Sequence, residues 1–152
     1  MEKKLAAQLL LEQLVILDSA SQVLRDSFAR VQIIFKKNKE ELSIEEKESC
    51  EALTSRFSRL CDYLFQKVFR TLDQIELMDQ GTGIDRLNRM EKRGVISSAL
   101  LWREIRELRN DIVHEYLIER SDRVLALAVQ HTPELLSAVD LLKKYLDEKK
   151  LR

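Results

Sequence analysis

The sequence predicts an all-α fold, an up-and-down bundle of four long helices plus one short helix, and three observations carry that prediction. Apolar residues recur at spacings of three, four and seven along most of the chain, the mark of helices with one buried stripe. Turn residues are scarce, with 3 Gly and 1 Pro in 152 residues, too few for the tight turns of a β-protein of this size. The apolar runs are joined by short connections, which make consecutive helices antiparallel neighbours. With 45% apolar and 34% charged residues, the composition is globular, and the length suits a single domain, residues 1–152, around one core.

The first helix is expected over about residues 3–36. Leu10, Leu14, Leu17, Leu24, Phe28, Val31 and Phe35 fall on one stripe, and Lys36-Lys37-Asn38-Lys39 suits a C-terminal end and loop. The second is expected over about 44–79, opened by a capping box with Ser43 as N-cap and Glu46 answering it. It carries two adjacent stripes: Leu53, Phe57, Leu60, Leu64 and Val68, then Cys61, Phe65, Phe69 and Leu72. Two stripes mark a central helix that touches more than one neighbour, and the aromatic side chains read as core packing. Gly81-Thr82-Gly83 breaks the pattern as a plain loop, since a dinucleotide-binding turn would need a preceding strand. A short helix follows over about 85–93, ended by Gly94. The fourth long stretch runs from about Ser98 to Tyr116, capped by Ser97 or Ser98. The last begins near Ser121 or Asp122 and reaches about Glu148, where Pro133 either kinks one helix or starts a new one capped by Thr132.

Formal net charge is zero, so no bulk field draws the chain to nucleic acid or membrane, and contact with RNA has to come from a local patch. Residues 86–109 are basic, with Arg86, Arg89, Lys92, Arg93, Arg103, Arg106 and Arg109 against Glu91, Glu104 and Glu107. This stretch is read as mostly a solvated face. Cys50 and Cys61 lie about 16 Å apart along one helix, too far for a disulfide, and read as reduced thiols of a cytoplasmic protein. Gln8, Glu12 and Gln13 interrupt the apolar run of 5–17, and no small-residue cleavage site follows cleanly, against a secretory signal. No segment approaches the roughly 18 apolar residues of a membrane span.

The stretch richest in chemistry is Arg109-Asn110-Asp111-Ile112-Val113-His114-Glu115-Tyr116, and the chain has one other histidine, His131. Arginine clamps phosphate through a planar fork of donors, and histidine moves a proton near neutral pH. Together they are what phosphodiester cleavage needs without a metal, so RNA cleavage leads. On an ideal helix Ile105, Leu108 and Ile112 share the core stripe with Leu101, and Arg109 and Tyr116 lie side by side at its edge. Asn110 and His114 fall on the opposite face with Arg103, which puts Arg109 and His114 about 140° apart. Either the helix ends or distorts before His114, or a two-fold partner supplies the converging group. Spacing alone also fits an ion-pairing arginine and a surface histidine. Asp111 and His114 form a D-x-x-H, but the second copy and further carboxylates of a di-metal bundle are missing, so no metal and no cofactor are expected.

Arg109, four residues, then His114-Glu115-Tyr116 resembles the R-x4-H-x-Y signature of the HEPN superfamily, specifically of its HepT-like toxins. The polar residue that commonly follows the arginine in that family is Asn110 here. The segment Ser58–Arg70 is similar to the family's central helix, and the resemblance spans roughly residues 5–145. It implies a metal-independent endoribonuclease, the homodimeric toxin of a toxin–antitoxin pair, with a nucleotidyltransferase as antitoxin. Arg109 and His114 would be catalytic. Asn110 would shape the cleft or hydrogen-bond the RNA, with Arg106 and Arg103 as the neighbouring basic candidates for RNA contact. Tyr116 would be the site of silencing by adenylylation (AMPylation). The alternative is a non-catalytic helical adaptor, or substrate-binding subunit, of a nucleotidyltransferase.

Overall fold

The structure, a computed structural model, describes residues 2–114 and 118–152. Its α-helices are α1 (Glu2–Ile34), α2 (Ile44–Asp62), α3 (Phe69–Ile75), α4 (Gly83–Lys92), α5 (Ala99–Val113) and α6 (Ile118–Glu148). A 3-10 turn, Lys39–Glu41, lies between α1 and α2, and a π-helical segment, Tyr63–Val68, joins α2 to α3. No strand occurs among the described residues. The fold is all-α, with the short α4 set beside four long helical rods, and no helix among the described residues is long and apolar enough to cross a membrane.

Helices pair in antiparallel fashion. Along α1 and α2, Lys37 meets Glu46 while Arg56 reaches back to Ser27 and the Val23 carbonyl. Along α1 and α6, Asp18 pairs with Lys143 and Arg25 with Asp140. The rod of α2, the π segment and α3 runs against α5, pairing Asp62 with Arg109, Phe65 with Arg106 and Phe69 with Trp102. One continuous core results. Leu10, Leu17, Leu24 and Val31 of α1 meet Leu53, Phe57, Leu60 and Leu64, then Trp102, Ile105 and Leu108, and Ala128, Leu135, Val139, Leu142 and Leu146 of α6. Ser21 fills the gap in the α1 stripe and returns its hydroxyl to the Leu17 carbonyl at 2.7 Å. The outer side of α1 leaves Leu5, Val15 and Ile16 exposed.

Local chemistry explains most boundaries. Ser43 and Glu46 form the expected capping box. Thr82 caps α4 through a second box with Asp85, a start the loop reading of 81–83 did not anticipate. Ser98 caps α5, and the Glu91 carboxylate accepts from the Ala99 N–H at 3.1 Å. Gly94 ends α4 in a left-handed conformation with φ of 75°, and the Val95 N–H reaches back to the Met90 carbonyl, a Schellman cap. Past Pro133 α6 continues as one helix. The Thr132 hydroxyl donates to the Ala128 carbonyl at 2.7 Å.

Two departures from expectation matter for the site. The second long helix is not uniform. At Tyr63–Val68 the hydrogen bonds lengthen to five-residue steps, with the Phe69 N–H reaching the Leu64 carbonyl. In an ideal α-helix, residues four apart drift about 40° around the axis per step. Wider turns bring a spacing of four closer to a full circle, so Phe65 and Phe69 both stay facing α5. This rod also stops at Ile75 rather than near 79. Leu77 takes the left-handed conformation, φ 57°, at the position glycine usually fills, and the Met78 N–H closes on the Asp73 carbonyl at 2.8 Å.

The second departure is the basic stretch, whose first half turns inward instead of forming a solvated face. Asp73 is fully buried, and three arginines of α4 and its end gather on its carboxylate. Arg89 grips it with two donors, at 3.0 and 2.7 Å. Arg93 Nη1 donates to it at 2.6 Å, and Arg86 Nε lies 3.7 Å away. Arg93 Nε also binds Glu76 at 2.8 Å, and Glu76 accepts from the Tyr145 hydroxyl of α6. Burial, then Glu76, pushes the Tyr145 phenol up to about 12, so it stays a donor.

Three stability outcomes follow. Asp73→Asn should cost about 3–5 kcal/mol in urea unfolding, because it strands desolvated arginines without their charge partner. Asp140→Asn, which breaks an exposed pair, should cost under about 1 kcal/mol. Leu77→Gly should stabilise by about 0.5–1 kcal/mol, since an exposed leucine in the left-handed region carries a steric cost that glycine lacks.

Candidate functional site

Arg109 sits one turn from the C-terminal end of α5. The flank of α5 that carries it also carries Trp102, fully buried against Phe69 with ring centroids 5.3 Å apart. That contact locks α5 against the α2–α3 rod and brings Arg109 to the last residue of α2, Asp62. Arg109 Nη2 donates to Asp62 Oδ2 at 2.7 Å. Nε lies 2.7 Å from Oδ1, a contact too bent for a hydrogen bond. On the other side Nη1 donates to the Asn110 Oδ1 at 2.9 Å. The pair is half wet, with the Arg109 side chain 28% and the Asp62 side chain 39% exposed.

The next turn of the rod holds Phe65. Arg106 lies over its ring, guanidinium carbon to centroid 3.5 Å, and Arg86 lies 5.0 Å away. Such stacks contribute about 0.5–2 kcal/mol each. Arg86 also donates to the Phe65 carbonyl at 3.1 Å. Gly83, at the start of α4, makes room for this stack. A Cβ there would stand 3.0 Å from the Phe65 ring and 3.3 Å from an Arg106 nitrogen. Burial lowers the pKa of Arg106, with Cys61 and Asp62 pulling the other way. The adjoining Cys61 thiol is pushed up to about 12, by burial first and by Asp62 second. It stays protonated at neutral pH and is no nucleophile.

Among the residues expected at the site, Arg109, Asn110 and Arg106 come together on this edge of α5. Arg103 is exposed two turns before Asn110 on the same face, and among the described residues no contact ties it to Arg109. His114 is the C-cap of α5, with φ −100° and ψ 8°, and its N–H closes on the Asn110 carbonyl at 3.0 Å. The helix therefore ends at Val113, and the His114 N–H closes its last turn before the chain leaves the helical path. His114 is exposed, and no contact joins it to Arg109. Tyr116 lies outside the described residues.

Asp62, Phe65 and Gly83 carried no site role in the sequence reading. Asp62 is one carboxylate among many on a helix edge, and only the pairing of α2 with α5 singles it out. A signal did exist for Phe65, which belongs to the second apolar stripe, and that stripe turns out to face the arginines of α5. Among the described residues no three His, Cys, Asp or Glu side chains converge as a metal-ligand set.

Chemically, the edge offers a half-exposed guanidinium with donors to spare, a second guanidinium held flat on an aromatic ring, and an exposed imidazole at the end of the same helix. Fixed planar donors of this kind bind phosphate or carboxylate oxygens. Compared with known proteins, the chain matches no protein-family model and no curated sequence.

Proposed function

We propose that this protein is a metal-independent endoribonuclease, the toxin of a toxin–antitoxin pair, using Arg109 and His114. The observation that carries the reading is the R-x4-H-x-Y motif at the end of a helix whose last turn is open to solvent. Arg109 is 28% exposed with donors beyond those given to Asp62 and Asn110, and His114 is exposed one residue past the end of α5. The RNA 2′-hydroxyl attacks the adjacent phosphorus. The new O2′–P bond forms as the P–O5′ bond breaks. His114 moves the protons, from the attacking hydroxyl and to the departing 5′-oxygen, and Arg109 stabilises the added negative charge. Products carry a 2′,3′-cyclic phosphate and a 5′-hydroxyl. Arg106 and Asn110 contact the RNA backbone. The working unit is a homodimer, in which a second copy of the motif completes the proton inventory.

A second reading, a non-catalytic helical subunit of a nucleotidyltransferase, is favoured by one observation. Asp62 occupies one edge of Arg109, as it would for an arginine whose role is structural.

One experiment separates the two. The purified protein should cleave RNA in the presence of EDTA. Arg109→Ala and His114→Ala should each lower the rate by at least about 100-fold with the helical circular dichroism unchanged. Mixing the two variants should recover part of the activity if each site draws on both subunits. Loss of cleavage in EDTA with recovery on adding a divalent ion would sink the mechanism, and absence of cleavage by the native protein would favour the adaptor.

Tyr116 is the proposed control point. Adenylylation would add bulk and negative charge within the motif, competing with RNA phosphate for cationic donors without any change of fold. Co-expression with a cognate nucleotidyltransferase should add multiples of about 329 Da, one adenylate each, to the peptide holding Tyr116, while RNA cleavage falls in step. Tyr116→Phe should lose the mass shift and escape silencing. Full silencing of Tyr116→Phe would show that the partner acts by occlusion.

A further inference from the structure

Arg109 carries five N–H donors in a fixed plane. One Nη2 donor goes to Asp62 Oδ2 and one Nη1 donor to Asn110 Oδ1, while Nε is buried against Asp62 Oδ1. Among the described residues two donors remain without a partner, one on each terminal nitrogen. Two spare donors in the plane of one guanidinium are enough to take two oxygens of one phosphate. The same carboxylate that holds the inner edge also cancels the charge of the group it holds. Arg106, the other cation of this edge, is engaged face-on with Phe65, so Asp62 is the anion with first claim on Arg109.

From this arrangement we propose that Asp62 is the positioning residue and built-in counter-ion of Arg109. It grips one edge so that the remaining donors stay in place for an incoming phosphate, and it sets how tightly a phosphate group is held there. The proposal rests on the reading of Arg109 as the phosphate-binding group of the site. Asp62 is well suited to the part. It ends α2 immediately before the π-helical segment, so its backbone is fixed by helix on both sides. Its carboxylate remains 39% exposed, wet enough for the pair to loosen when another anion arrives.

Inorganic phosphate is the probe, and the affinity is read by NMR titration of the folded protein. This readout is independent of RNA cleavage. Asp62→Asn keeps the shape and one acceptor oxygen but drops the charge. It should bind phosphate about two- to five-fold more tightly, the range that a half-exposed ion pair is worth. Asp62→Glu keeps the charge and should bind as the native protein does. Arg109→Ala in the Asp62→Asn background should erase the gain. A purely structural tie between α2 and α5 predicts the reverse, lower stability in Asp62→Asn with no gain in phosphate affinity, and that result overturns the proposal. A gain that survives Arg109→Ala overturns it as well. If Asp62→Asn does not fold, Asp62→Glu decides: native affinity with a five-fold or larger drop on adding Arg109→Ala supports the proposal, and no drop overturns it. A gain through Arg109 in a protein that cleaves no RNA leaves Asp62 as counter-ion and removes the ribonuclease reading.

Discussion

A carboxylate with no access to water must be matched by cations that give up their own hydration for it, and Asp73 is matched by three. Arg86, Arg89 and Arg93 all come from α4 and its last turn, so a single buried charge decides where the one short helix of the bundle lies. The mutual attraction is strong because the site is dry, and it is specific because guanidinium planes accept few orientations. Glu76 and Tyr145 extend the same network to α6. With α4 pinned to α3, its N-terminus falls beside Phe65. Gly83 then has no Cβ to obstruct the Arg106 stack.

The candidate site inherits its geometry from that arrangement. Arg86 belongs to both, touching Asp73 at one nitrogen and the Phe65 carbonyl at another. Phe65 is held from one side by α4 and from the other by Arg106 of α5. The π-helical turn keeps Phe65 and Phe69 on the α5 side of the rod, and Trp102 against Phe69 sets the register that brings Arg109 to Asp62. A register shift of one residue along α5 would rotate Arg109 by about 100° and break the pair. The packing of large aromatic side chains therefore brings Arg109 to Asp62, and the carboxylate then holds the guanidinium.

Where polar groups meet at this edge, burial works against the charged form. Burial penalises the Arg106 charge while neighbouring anions support it. Burial and Asp62 together hold the Cys61 thiol in its protonated form. Arg109 is partly neutralised by Asp62 yet stays partly open to solvent. The result is a local cationic edge on a chain of zero formal net charge, the arrangement required if a neutral protein is to attract an anion at one place only.

Helix number, the principal apolar stripes, the Ser43 cap and the Gly94 stop were all readable from sequence. Each depends on residues a few positions apart, whose mutual geometry the helix itself dictates. The π-helical turn, the early end at Ile75 and the continuous passage through Pro133 were not readable, because several backbone paths are compatible with the same local residues and packing selects among them. The basic stretch was misread in its first half for the same reason. Arg86, Arg89 and Arg93 look like a solvated face until Asp73, far enough away in sequence to share no local pattern, appears beneath them. Asp62 was likewise invisible as the partner of Arg109. By itself the sequence determined an all-α chain, its principal apolar stripes and the Ser43 and Gly94 boundaries. Only the tertiary structure decided which charges are buried together and which guanidinium faces which carboxylate, because such pairings are set by contacts between helices, and no periodicity within one helix encodes them.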